Sequence, residues 1–184
     1  MGRHYNRYRG IEKLLREKCS FEQPKSGARL AICDIGCGSA YGTNILRTAF
    51  PEFHVYGVEP CDQAREYAII AYPEVEVYND IPDQFVQPHV VVMVESIEHM
   101  TRTELKVYIT GTQVVALTTP LIKYPNNEYH EVSFKTKEDV RKHLAWAKFE
   151  PICELIEKGV TFTTGEKGDQ YIALYHQIEE DGGK

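Results

Sequence analysis

Apolar and polar positions along the chain follow two different rhythms. Ile11, Leu14 and Leu15 recur at helical spacing and predict a helix over 8–18. Pro24 and Gly27 then break the pattern. Beyond them, short apolar runs alternate with helical stretches. Runs at 29–34, 53–59, 75–78, 90–95 and 113–118 predict strands, and 43–50, 62–71 and 101–109 predict helices. The 90–95 run, Val-Val-Val-Met-Val-Glu, is mostly β-branched and predicts a strand buried on both faces. An irregular stretch over 119–133 carries Pro120, Pro125, Asn126 and Asn127. Val140, Leu144 and Ala147 share one side of a helix predicted over 137–149. Runs at 155–163 and 170–176, joined by Gly165-Glu-Lys-Gly168, predict a terminal antiparallel hairpin. Strands alternating with helices predict an α/β fold with a doubly wound, mostly parallel sheet of seven strands, closed by that hairpin. Ligands of such sheets sit beyond the carboxyl ends of the strands.

Length divides the chain simply. Its 184 residues are enough for one domain. The expected organisation is a helical arm over 1–27, a ligand-binding domain over 28–178 and a flexible polar tail over 179–184. Hydrophobic residues make up 42% and charged residues 26%, a globular composition that argues against extensive disorder. No apolar run approaches the ~20 residues of a membrane helix. The basic start, Met1-Gly2-Arg3-His4-Tyr5-Asn6-Arg7-Tyr8-Arg9, has no apolar segment behind it, so a cytoplasmic protein is expected. The net charge of −6 argues against an extended nucleic-acid interface, which needs a basic face. Five cysteines, an odd number with no CxxC pair, read as reduced thiols, and no zinc cluster is evident.

The chemistry concentrates in one turn, Asp34-Ile35-Gly36-Cys37-Gly38-Ser39-Ala40-Tyr41-Gly42. It ends the first strand and opens a helix. Its glycines are spaced G-x-G-x-x-x-G, one residue longer than the dinucleotide fingerprint. Asp34, two residues before the first glycine, would repel a phosphate and attract a cation. Glu59 ends the second strand, where an acid can accept hydrogen bonds from both hydroxyls of a ribose. A ligand with a ribose, a positive charge and no phosphate satisfies all three features.

At these residues the chain resembles the class I S-adenosylmethionine (SAM)-dependent methyltransferases. Asp34-Ile-Gly-Cys-Gly-Ser39 is similar to their first motif and Val55-Tyr-Gly-Val-Glu-Pro60 to their second. Val92-Met-Val-Glu-Ser-Ile-Glu-His-Met100 resembles the motif that ends strand four. Thr118-Thr-Pro120 and Asn127-Glu-Tyr-His-Glu-Val-Ser-Phe134 resemble the loop after strand five. The resemblance implies a Rossmann-like fold, SAM as cofactor and S-adenosylhomocysteine (SAH) as product. It implies that Gly36, Cys37, Gly38 and Ser39 line the methionine part of SAM and that Asp34 faces its ammonium through water or a neighbouring backbone group. Glu59, followed by Pro60, would hold the ribose, and Asp80 the adenine amino group. Tyr5, Tyr8 and Arg9 resemble an N-terminal arm that closes over the cofactor, with Arg9 a partner for the SAM carboxylate.

Methyl transfer from a sulfonium needs alignment above all, and a base only where the acceptor must lose a proton. Catalytic candidates lie just beyond strands four and five: Glu95, His99 and His130, with Glu98 and Tyr129 beside them. Glu95, Glu98, His99 and His130 also resemble the two-Glu, two-His metal site of small-RNA 2′-O-methyltransferases. Glu98-His99 is common in relatives without metal and the acidic charge fits RNA poorly, so no metal ligand is assigned. Tyr124, Tyr129 and Phe134 are aromatic candidates for acceptor contacts. The acceptor itself is not legible. The arm and the 119–133 stretch could cover the site, or a second subunit, a copy or a partner, could close it. The alternatives to an active methyltransferase are a SAM-binding partner subunit without catalysis and a nucleotide-dependent oxidoreductase.

Overall fold

A computed structural model of the chain describes residues 3–21, 29–83, 85, 87–121, 130–161 and 167–178. Five short apolar runs form parallel strands: β1 (Ala31–Ile35), β2 (His54–Val58), β3 (Glu76–Tyr78), β4 (Val90–Val94) and β5 (Val114–Leu121). Two longer strands, β6 (Phe149–Thr161) and β7 (Lys167–Gln177), pair antiparallel, and β7 also pairs antiparallel with β5. The sheet order is β3-β2-β1-β4-β5-β7-β6. This is the expected seven-stranded, Rossmann-like sheet with its antiparallel hairpin.

Helices α1 (Arg3–Lys18) and α2 (Tyr41–Ala49) cover one face. Ile11, Leu14 and Leu15 of α1 pack there on Val90, Val92 and Leu174. Helices α4 (Arg102–Ile109) and α5 (Lys137–Ala145) cover the other, where Leu105, Val140 and Leu144 meet Val91, Met93 and Val115. Helix α3 (Asp62–Ala71) flanks β3. Strand β4 is buried throughout, as its composition predicts. Each such Val or Leu contributes about 1.5–3 kcal/mol through burial. The chain leaves β1 towards β2 and β3, then returns to β4 on the opposite side. The crevice beyond β1 and β4 is therefore the switch point where ligands of this architecture bind.

Three boundaries depart from expectation. Helix α1 starts at Arg3, not Tyr8, because Tyr8 and Arg7 are themselves buried. Strand β5 continues through Thr119, Pro120 and Leu121, residues expected to be irregular. The Thr118 carbonyl bonds the Glu95 amide, so Pro120, two residues on, also points its missing N–H towards β4, which has already ended. Helix α5 ends at Ala145 rather than Phe149. Lys148 adopts a left-handed conformation (φ 58°), and Phe149 opens β6 six residues earlier than expected. Pro151 is accommodated at a register shift of this edge strand. The five cysteines are free thiols, and among the described residues no helix is long and apolar enough to cross a membrane. The expected tail at 179–184 lies outside the described residues.

Candidate functional site

The first strand and the helix after it are joined by a turn that needs glycine twice. Gly36 and Gly38 have φ of +72° and +54°. A Cβ on Gly36 would stand 2.6 Å from Cβ of Ser96, whereas above Gly38 there is open space. Ser96 is buried and donates its hydroxyl to the Ile35 carbonyl at 2.7 Å, tying the end of β4 to the end of β1.

Glu59 follows β2 and is half-buried. One carboxylate oxygen accepts from the Gly38 amide at 2.9 Å, the other from the Cys61 amide at 2.9 Å. Each oxygen keeps a second acceptor site. Arg65 holds the Glu59 carbonyl at 2.6 Å. Ser39 and Pro60 are exposed along the same rim. Cys37 is buried, and burial pushes its thiol far up. Asp80 is exposed after β3, with one oxygen on the Ile81 amide at 2.8 Å.

Asp34 is fully buried. The Tyr8 hydroxyl reaches both its oxygens at 3.1 Å, and the Thr43 hydroxyl donates to one at 2.7 Å. Burial pushes the Asp34 carboxyl up to about 7, against the pull of these two hydroxyls. Tyr8 reaches it by lying flat on the start of α2. A Cβ on Gly42 would stand 1.8–2.3 Å from three atoms of the Tyr8 ring. Gly42→Ala is therefore expected to expel Tyr8 and destabilise the protein by about 1–3 kcal/mol in urea denaturation. Tyr8→Ala in the same chain should recover part of that loss. Additive losses in the double variant would contradict the packing.

The arm places Arg7, not Arg9, at the site. Arg7 is 5% exposed and meets Glu95 at 2.5 Å, with the His4 ring 3.9 Å from the same oxygen. Arg9 sits on the outer face of α1 and pairs with Glu12. The spacing His4-x-x-Arg7-Tyr8 carries the signal: two adjacent polar residues lie one turn before Ile11 and share its buried side. Glu95 itself has a left-handed φ of 54°.

On the opposite face of the sheet, Glu98, His99 and His130 converge. One ligand atom of each lies within 4.8 Å of the others. The two rings meet edge to face at 4.5 Å. Glu98 is buried and accepts from the Thr119 hydroxyl at 3.1 Å. Burial pushes its carboxyl up to about 8, and the nearby Glu95 charge adds to the rise. Burial and the neighbouring His99 push the His130 imidazole down. Glu95 turns towards Arg7 and is not part of this trio. Phe134 is buried, bridged through its backbone to Leu121. Tyr124 and Tyr129 lie outside the described residues.

No protein-family model matches the sequence, and no curated protein matches it. Its fold does match solved structures. The methyltransferase domain of bacterial CtHen1 superposes over 95% of this chain and 100% of that domain, at a TM-score of 0.63 and 14% identity. A geranyl diphosphate C-methyltransferase from Streptomyces coelicolor, solved with Mg2+, geranyl-S-thiolodiphosphate and SAH, covers 92% of this chain and 76% of its own, at 0.65 and 12%. A SAM-dependent methyltransferase from Methanosarcina mazei covers 91% and 98%, at 0.62 and 16%. The chain thus has the fold of the class I SAM-dependent methyltransferases, shared by enzymes of differing substrates.

Proposed function

We propose that the protein is a SAM-dependent methyltransferase. The observation that carries this reading is Glu59. Its carboxylate ends β2, is oriented by the Gly38 and Cys61 amides, and keeps an acceptor site on each oxygen for a ribose diol. The open space over Gly38 leaves room beside it. The Gly38 amide is given to Glu59 rather than left for a dinucleotide's pyrophosphate.

SAM supplies a methyl group on a leaving group that is already activated. The chain's own residues bind and align. Glu59 holds the ribose, and the Gly36–Gly38 turn allows close approach. Asp34 sets a negative potential beneath the ammonium, and Arg7 offers a guanidinium for the carboxylate. Glu95, His99 and His130 surround the acceptor end, where a neutral imidazole of depressed proton affinity suits a general base. Calorimetric titration with SAM and SAH, with NAD as control, tests the reading. Micromolar SAM binding without NAD binding is the expected result. NAD binding without SAM binding would favour an oxidoreductase, and SAM binding without any turnover a partner subunit.

One observation favours a second, compatible reading. Glu98, His99 and His130 offer the mixed carboxylate and imidazole donors that suit a divalent first-row ion. An ion held there would supply positive charge to acceptor hydroxyls. Mn2+ is then expected to broaden the His99 and His130 ring signals selectively in NMR spectra, and Glu98→Ala to abolish that response. Broadening spread evenly over the surface histidines would dismiss a specific site.

A further inference from the structure

Among the described residues, two fully buried polar side chains at the cofactor end of the sheet have no hydrogen-bond partner. Gln170 of β7 is 0% exposed, with neither its carboxamide oxygen nor its nitrogen bonded. Thr118 of β5 is 0% exposed, and its hydroxyl is likewise unbonded. Burying such groups unpaired forfeits their hydration with nothing in return. Strand register places them together. Thr118 pairs with Ile172 and Pro120 with Gln170, so Thr118 and Gln170 are diagonal neighbours on one face. That face is the one under α1, since Ile172 packs with the cluster that contains Tyr8 and Ile11.

Their level along the strands points the same way. Thr118 is the last residue of β5 paired with β4, and its carbonyl holds the Glu95 amide at 2.9 Å. Glu95 leaves one oxygen, Oε1, buried and unbonded while the other meets Arg7. Unpaired acceptors and donors thus gather beneath the first turns of α1, beside the residue that ends β4. Arg7–Glu95 and Tyr8–Asp34 are the polar ties that hold these turns down. Apolar anchoring, which includes the Tyr8 ring, continues further along at Ile11, Leu14 and Leu15.

We infer that Thr118 and Gln170 form the recognition pocket for the methyl acceptor. This rests on the methyltransferase reading above. A carboxamide side chain presents a donor and an acceptor in one plane. Its complement is an uncharged planar group carrying an acceptor and a donor side by side, as a carboxamide or the edge of a nucleobase does. The acceptor satisfies the groups left unpaired without it.

Thr118→Val and Gln170→Met test the inference, since each keeps shape and removes the unpaired atoms. In the ligand-free protein each is expected to raise Tm, by about 2–8 °C. SAH affinity should stay within about twofold of wild type, because the pocket serves the acceptor. In SAH-saturated wild-type protein, cytidine or nicotinamide should shift the Gln170 side-chain amide signals saturably. A shift with cytidine alone assigns a nucleobase, and with nicotinamide alone a carboxamide. A lowered Tm in either variant would show that the groups serve the fold. A tenfold loss of SAH affinity would assign them to the cofactor, and silence from both probes would exclude the ligand class. Each of these three results overturns the inference. Absence of SAH binding in the wild type would instead defeat the cofactor reading, while the Tm comparison still reports on the pocket.

Discussion

Glu59→Ala is expected to weaken SAM binding about a hundredfold, ~2.8 kcal/mol, while the protein still folds. The change removes the acceptor of both ribose hydroxyls. It also frees the Gly38 and Cys61 amides that fix the turn's approach to the ligand. Hydrogen bonds to a charged group contribute about 1.5–3 kcal/mol each, so two such losses reach the stated size. Glu59→Gln keeps one acceptor oxygen and should fall between the two. Calorimetry on folded variants, checked by circular dichroism, reads the effect. Wild-type affinity in both variants would sink the assignment of the ribose to Glu59.

Stability of the ligand-free protein is expected to fall as pH rises from about 5 to about 8. Two buried acids cause this. Asp34 titrates at about 7 and Glu98 at about 8, both raised chiefly by burial. Their ordinary values lie near 4, so in this range the folded state holds protons that the unfolded chain releases. Such a group contributes most below its unfolded value, and the contribution is lost as pH climbs to the folded one. Each pH unit separating the folded from the unfolded value corresponds to about 1.4 kcal/mol, which makes the loss on the order of a few kcal/mol per acid. Urea midpoints across that range measure it. Asp34→Asn should flatten the curve and be more stable than wild type at pH 8. A cation next to Asp34 favours its ionised form, so SAM affinity should rise through pH 7. A stability that climbs steadily to pH 8 would contradict both buried charges.

Much of the proposed cofactor end is legible in local sequence. The pattern of apolar runs is a local property, and the alternation of strand and helix follows from it. Asp34, the Gly36–Gly38 turn and Glu59 occupy fixed offsets from strand ends, so the roles proposed for them can be read along one dimension. Helix α3 even carries its expected limits, 62–71. Boundaries failed where a distant partner intervened. Pro120 reads as a strand breaker until one sees that β4 stops short of it. Phe149 reads as the end of a helix until β7 is available to pair with it.

The proposed acceptor end is a different kind of object. Gln170 lies in no motif, and only the register of β5 with β7 makes it a neighbour of Thr118. Arg9 is as basic as Arg7, yet Arg7 meets Glu95 while Arg9, two steps of about 100° further round the helix, lies on the surface. Asp34 is legible in sequence as an acid at a strand end, but its enclosure by the Tyr8 and Thr43 hydroxyls is not. Fold class and the proposed cofactor contacts rest on short-range patterns that one strand and one turn can hold. Burial, proton affinity and the company each side chain keeps depend on contacts across many residues, because desolvation and hydrogen bonding act on atoms that are close in space, whatever their separation along the chain.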